Sequence, residues 1–82
     1  MARVGIIGGG AFGTAMGCVV RRSGHEVLLW AREPEVVAAI NERGLNETFL
    51  PSVRVVPGIR ATNDLAAAVR GMDFVLLAPP AQ

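Results

Sequence analysis

The run Val4-Gly5-Ile6-Ile7 leads directly into Gly8-Gly9-Gly10-Ala11-Phe12-Gly13, in which Gly8, Gly10 and Gly13 have the spacing G-x-G-x-x-G, and from there into a helical pattern. No other stretch constrains the fold as tightly. Gly8 lets the chain leave a strand through a conformation that a side chain would forbid, Gly10 removes the Cβ from a backbone that must come close to a ligand, and Gly13 lets the following helix pack tightly on the first strand. A helix beginning near Ala11 turns its unpaired N–H groups and the positive end of its dipole toward that turn, which suits the pyrophosphate of a dinucleotide. The spacing alone also fits ordinary tight turns, so its surroundings decide. A P-loop is excluded, because no Lys-Ser or Lys-Thr pair follows the glycines and the chain contains no lysine.

The surroundings read as a βαβ unit. Arg3 to Gly8 is rich in β-branched residues, as in a strand buried on both faces of a parallel sheet. A helix follows from about Ala11 to Arg22, with Gly13, Met16, Gly17 and Val20 on one face, and it ends at Ser23-Gly24 with Arg21 and Arg22 in its last turn. Glu26 to Ala31 is the second strand. The crossover is right-handed, so both strands end beside the glycine turn. His25, the single histidine, falls at the opposite end of the sheet and reads as a solvated turn residue.

Further on, Pro34 starts a short helix with Val36, Val37 and Ile40 as its buried stripe, and Gly44 closes it. Residues 45 to 58 carry Asn46, Pro51, Ser52 and Pro57 without a clear period and read as loop, with a brief extended piece around Val53, Val55 and Val56 and with Phe49 and Leu50 as anchors on the core. Ile59 to Thr62 is a short third strand, Thr62-Asn63-Asp64 caps a helix over Leu65 to Arg70 that Gly71 closes, and Asp73 to Ala78 is a fourth buried strand stopped by Pro79-Pro80. The expected fold is α/β: a partial, Rossmann-type parallel sheet of about four strands in the order 3-2-1-4, with helices on both faces. That order leaves the fourth strand at a sheet edge, with Phe74 to Leu77 exposed along an unpaired backbone, so the isolated chain is expected to be marginal and prone to associate.

Composition narrows the rest. The 82 residues fall short of the roughly 100 to 200 of a usual domain, so the chain reads as part of something longer. A formal net charge of +1 carries no nucleic-acid footprint, and the last apolar run, Phe74 to Pro80, is far short of the ~20 residues of a membrane span. The one cysteine, Cys18, cannot form an internal disulfide and reads as helix packing, so the cytoplasm is the default compartment. No metal site and no catalytic constellation stand out. Without lysine or tyrosine, the chain lacks candidates for the acid or base that hydride transfer to a carbonyl requires.

At the end of the second strand, where an acidic residue typically holds the ribose hydroxyls in NAD-binding units, stands Arg32. A guanidinium there can pair with a 2′-phosphate and stack on adenine, which favours NADP over NAD. The other reading is a solvated arginine with Glu33 as the ribose acceptor. Phe12 either covers the pyrophosphate or nicotinamide side of the cleft or packs on the loop after the fourth strand. Thr14 and Ala15 add at most one backbone or hydroxyl contact to phosphate.

The segments Gly8 to Ala15, Gly24 to Arg32, Phe49-Leu50-Pro51 and Val75 to Gln82, in this order and spacing, resemble the N-terminal part of NAD(P)-dependent glycerol-3-phosphate dehydrogenases over almost the whole chain. The resemblance implies an enzyme that interconverts dihydroxyacetone phosphate and sn-glycerol 3-phosphate for bacterial phospholipid synthesis. It implies Ala11, Phe12 and Arg32 as NADP(H) contacts beside the glycines, and catalytic lysines and a helical substrate domain beyond Gln82. Its partners are the cofactor and a small phosphorylated substrate, with a homodimer as the expected assembly. The family often has Ser where Ala11 stands, and Val-Pro-Ser where this chain has Pro79-Pro80-Ala81. Two other readings stay open: the cofactor half of another dehydrogenase with a helical second domain, such as a hydroxyacyl-CoA dehydrogenase or a ketopantoate reductase, and a non-enzymatic nucleotide-sensing module.

Overall fold

The computed structural model describes residues 1–78, and for 50–53 the backbone alone. The expectations placed on Pro79 to Gln82 and on the side chain of Leu50 lie outside the described residues. In chain order the elements are β1 (Arg3–Ile7), α1 (Ala11–Arg22), β2 (Glu26–Trp30), α2 (Pro34–Arg43), β3 (Leu45–Asn46), β4 (Leu50–Arg54), β5 (Ile59–Thr62), α3 (Leu65–Val69) and β6 (Phe74–Leu77).

The main sheet has the order β5-β2-β1-β6 and every pairing in it is parallel. Counting only the strands of this sheet, the order is 3-2-1-4, as the βαβ reading requires. Alternation along the strands sends Val4, Ile6, Val27, Leu29, Ile59 and Ala61 to one face, where α1 and α2 cover them. Ile6 and Leu29 are fully buried there, each contributing about 1.5–3 kcal/mol of apolar burial. The short α3 lies on the other face, so close to β1 that a Cβ on Gly5 would run into the carbonyl oxygen of Ala68. Helices therefore occupy both faces.

Local chemistry sets the helix ends. Gly44 closes α2 in the left-handed region at φ 66°, and the Asp64 carboxylate caps α3 by accepting from the N–H groups of Ala66 and Ala67. In α1 the buried residues are Gly13, Thr14, Gly17 and Cys18, with Met16 and Val20 half-buried at the margin of the core. The buried stripe is thus centred about one position further along than the apolar spacing suggests. The two glycines bring the helix axis so near the sheet that only small neighbours, Thr14 and Cys18, fit beside them.

Four expectations are corrected. The segment after α2 is not a plain loop: β3 and β4 form an antiparallel pair with a register shift between Leu45 and Asn46. Phe49 does not anchor it, being exposed; among the described side chains Val55 and Asn46 are its buried ones. His25 is half-buried rather than solvated, and its Nδ1 accepts from the Ala2 N–H at 2.9 Å. The strand β6, apolar enough to read as buried, is largely exposed, with Leu77 at 74% and Phe74 at 61%. It pairs only with β1 among the described residues, and α3 is too short to cover its face.

At the far edge, β5 is treated differently. The side chain of Asn41 in α2 donates to the Ala61 carbonyl (2.9 Å) and accepts from the Ala61 N–H (2.8 Å), filling the place of a neighbouring strand's peptide.

Candidate functional site

The C-terminal ends of β1, β2, β5 and β6 lie side by side, and the glycine turn crosses them between β1 and α1. This is the crevice in which open α/β sheets hold their ligands. Gly8 takes φ 136°, and a Cβ there would strike the carbonyl oxygen of Ala78. A Cβ on Gly13 would strike the carbonyl oxygen of Gly8, so the first turn of α1 rests directly on the end of β1. Gly10, the N-cap of α1, is the opposite case: a Cβ there would meet no atom of the described residues within 4 Å. The space beside Gly10 is open, and Gly10 needs no special φ, which is −75°.

Around that space the backbone presents donors. Among the described residues, the N–H groups of Gly10, Ala11, Phe12 and Gly13 have no hydrogen-bond partner, the first intrahelical bond being Thr14 N–H to the Gly10 carbonyl at 3.0 Å. No acidic residue stands in the first turn of α1 to compete for them. The arrangement fits a pyrophosphate: open room where a Cβ is missing, and unpaired donors at the positive end of a twelve-residue helix.

Sequence reasoning treats Gly9 as a variable position, but a Cβ on Gly9 would stand 2.5 Å from that of Ala31, so the turn needs a third consecutive glycine to lie against β2. The other residue that it misses is Asn46. This side chain is fully buried, and its Nδ2 donates to the Gly9 carbonyl at 2.8 Å and to the Thr14 hydroxyl oxygen at 2.7 Å, while its Oδ1 accepts from the Phe49 N–H at 3.3 Å. Thr14 is itself buried, at 1% exposure, and its hydroxyl meets Asn46.

Ala11 is exposed at the first position of α1, and Phe12 is 60% exposed beside it, so neither is part of the core. Arg32 is exposed in the bend after β2 and makes no side-chain hydrogen bond among the described residues. Glu33 is the N-cap residue of α2, without a side-chain cap bond. Trp30 ends β2, and its Nε1 is buried without a hydrogen-bond partner among the described residues.

Residues 3–82 match the family described as NAD-dependent glycerol-3-phosphate dehydrogenase N-terminus. The chain belongs to this family. Along its whole length it is 55% identical to a glycerol-3-phosphate dehydrogenase [NAD(P)+] of Paramagnetospirillum magneticum, of which it spans 30%. A crystal structure of glycerol-3-phosphate dehydrogenase from Coxiella burnetii superposes with a TM-score of 0.82 at 32% identity, over 93% of this chain and 23% of the other. A structure of the corresponding protein of Dunaliella salina gives 0.88 at 27% identity, over 96% and 16%. The chain therefore spans less than a third of the length of these relatives.

No group of three or more His, Cys, Asp or Glu side chains could hold a metal ion among the described residues. His25 sits at the N-terminal end of β2, across the sheet from the glycine turn. Cys18 is buried in α1. No helix among the described residues is long and apolar enough to cross a membrane.

Proposed function

We propose that this chain is the dinucleotide-binding portion of an NAD(P)H-dependent glycerol-3-phosphate dehydrogenase, which interconverts dihydroxyacetone phosphate and sn-glycerol 3-phosphate for phospholipid synthesis. The observation that carries the reading is the space at Gly10, open among the described residues and ringed by the N–H groups of Gly10, Ala11, Phe12 and Gly13 that have no partner among them, in a member of this family. Gly8 and Gly13 shape the turn, Gly10 and Ala11 hold the pyrophosphate through backbone N–H groups, and Phe12 covers it from the solvent side. A bound nicotinamide supplies the hydride. The turn holds the rest of the dinucleotide and neutralises its charge.

Arg32 stands in the bend after β2, and its guanidinium, without a side-chain hydrogen bond among the described residues, would favour NADPH by pairing with the 2′-phosphate. The acid or base for the carbonyl and the substrate pocket belong to a helical domain beyond Gln82, in keeping with the 30% share of the bacterial relative that the chain spans. A homodimer and a cytoplasmic setting belong to the same proposal, the latter resting on the single cysteine, Cys18, which has no partner for an internal disulfide.

The test is a spectrophotometric assay of the full-length protein that carries this chain. Oxidation of NADPH on addition of dihydroxyacetone phosphate, faster than with NADH at equal concentration, is the expected result. Tight NADPH binding with no turnover of this substrate would favour another dehydrogenase or a sensor.

A further inference from the structure

We propose that Asn46 is a positioning residue for the dinucleotide: it sets the orientation of the Gly9–Gly10 peptide so that the Gly10 N–H faces the pyrophosphate. The inference rests on the reading of the glycine turn as the cofactor site. Asn46 is fully buried, and its Nδ2 has two acceptors, the Gly9 carbonyl at 2.8 Å and the Thr14 hydroxyl at 2.7 Å. One amide thus ties the residue before the N-cap of α1 to the first turn of the helix itself.

The consequence for Gly10 follows from peptide geometry. The chain has no cis peptide bond among the described residues, and in a trans peptide the C=O and the next N–H point in opposite directions. The Gly9 carbonyl points inward to Asn46, so the Gly10 N–H points outward. It has no partner among the described residues, and it lies on the residue whose missing Cβ leaves open space. Neither neighbouring glycine brings a side chain that would resist rotation of this peptide, and glycine peptides rotate readily. An external clamp is what such a turn lacks, and Asn46 supplies it.

The clamp is held from behind. Asn46 ends β3, where the register against β4 shifts, and such shifts re-aim a side chain. Its Oδ1 accepts from the Phe49 N–H, which fixes the amide so that the NH₂ end faces the glycine turn. The short β3–β4 pair therefore acts on the cofactor site from 37 positions away in sequence.

The experiment uses the full-length protein with Asn46→Asp, Asn46→Ala and Thr14→Val, and separates KM from kcat. A carboxylate at 46 has the same shape but cannot donate to the Gly9 carbonyl. Asn46→Asp and Asn46→Ala are expected to raise the KM for NADPH by about tenfold, the worth of one well-oriented hydrogen bond, with kcat and the substrate KM nearly unchanged. A residue that only held the fold together would lower the active fraction, and so the apparent kcat, without moving the NADPH KM. Thr14→Val removes one acceptor but leaves the Gly9 bond, and is expected to raise the NADPH KM less than either position-46 variant does. A wild-type NADPH KM in folded Asn46→Asp overturns the positioning role while leaving the site intact. Wild-type protein that binds no NADPH overturns the reading of the site, and this proposal with it. Should the position-46 variants not fold, the wild-type protein decides: the Gly10 amide resonance must shift on adding NADPH, and an unmoved Gly10 resonance overturns the proposal.

Discussion

The backbone of Gly13 rests on the carbonyl oxygen of Gly8 with no room between them for a methyl group. This contact places the N-terminus of α1 at the end of β1, and the first turn of the helix inherits its position from it. Gly13→Ala must push the helix off the strand, and overpacking of this kind costs about 1–3 kcal/mol. Urea denaturation of the full-length protein should show that loss as a lower midpoint, with NADPH affinity reduced as well because the helix end has moved. An unchanged midpoint would mean that the helix can shift freely.

Arg32 provides a second, independent test. Its guanidinium is exposed and unpaired among the described residues, so removing it leaves no buried partner behind. Arg32→Ala should leave stability unchanged and weaken NADPH by about 10- to 100-fold, the range of a charge-assisted hydrogen bond, while NADH affinity changes little. Isothermal titration with both cofactors reads the ratio. An unchanged ratio of NADPH to NADH affinity assigns the 2′-phosphate to another residue, and Glu33 then becomes the group to examine at the ribose.

Much of this organisation is legible along the chain because it is local. The glycine spacing, the β-branched run before it, Pro34 and Gly44 around α2 and the Asp64 cap each act within a few residues, and each marks its element correctly. Asn46 is not legible in this way. It lies in a stretch with Pro51 and no period, its pairing is two residues long with a shifted register, and its partners Gly9 and Thr14 are more than 30 positions away. A polar residue reads as loop from sequence, whereas burial with both ends of the amide satisfied depends on the tertiary fold. Gly9 is missed for the same reason, since its need for a bare Cα comes from Ala31, just past the end of the neighbouring strand. The edge position of β6 is legible from the expected strand order, and the exposure of Phe74 and Leu77 follows from it, although the run Phe74-Val75-Leu76-Leu77 has the apolarity of a central strand.

That edge has a consequence for the 82-residue chain in isolation. The outer side of β6 offers backbone unpaired among the described residues next to Phe74 and Leu77, both well exposed, which is the form of edge that pairs with another chain. Sedimentation velocity should show association that rises with concentration. Leu77→Lys, at 74% exposure, should shift the distribution toward monomer without loss of helical content. A wild-type chain that stays monomeric at high concentration and unfolds in one cooperative transition would show that the edge is harmless.

The central claim is that the open space at Gly10 receives the pyrophosphate, and Gly10→Ala tests it most directly. A Cβ there meets no atom of the described residues within 4 Å, so the variant should fold as the wild type does. It should nevertheless bind NADPH at least about tenfold more weakly, because the methyl group occupies the space the phosphate needs. Titration of NADPH against the fluorescence of Trp30, the only tryptophan in the chain, measures this at the end of the neighbouring strand. Loss of binding with an unchanged thermal midpoint is the predicted result; a folded Gly10→Ala chain that binds NADPH as tightly as the wild type would contradict the account.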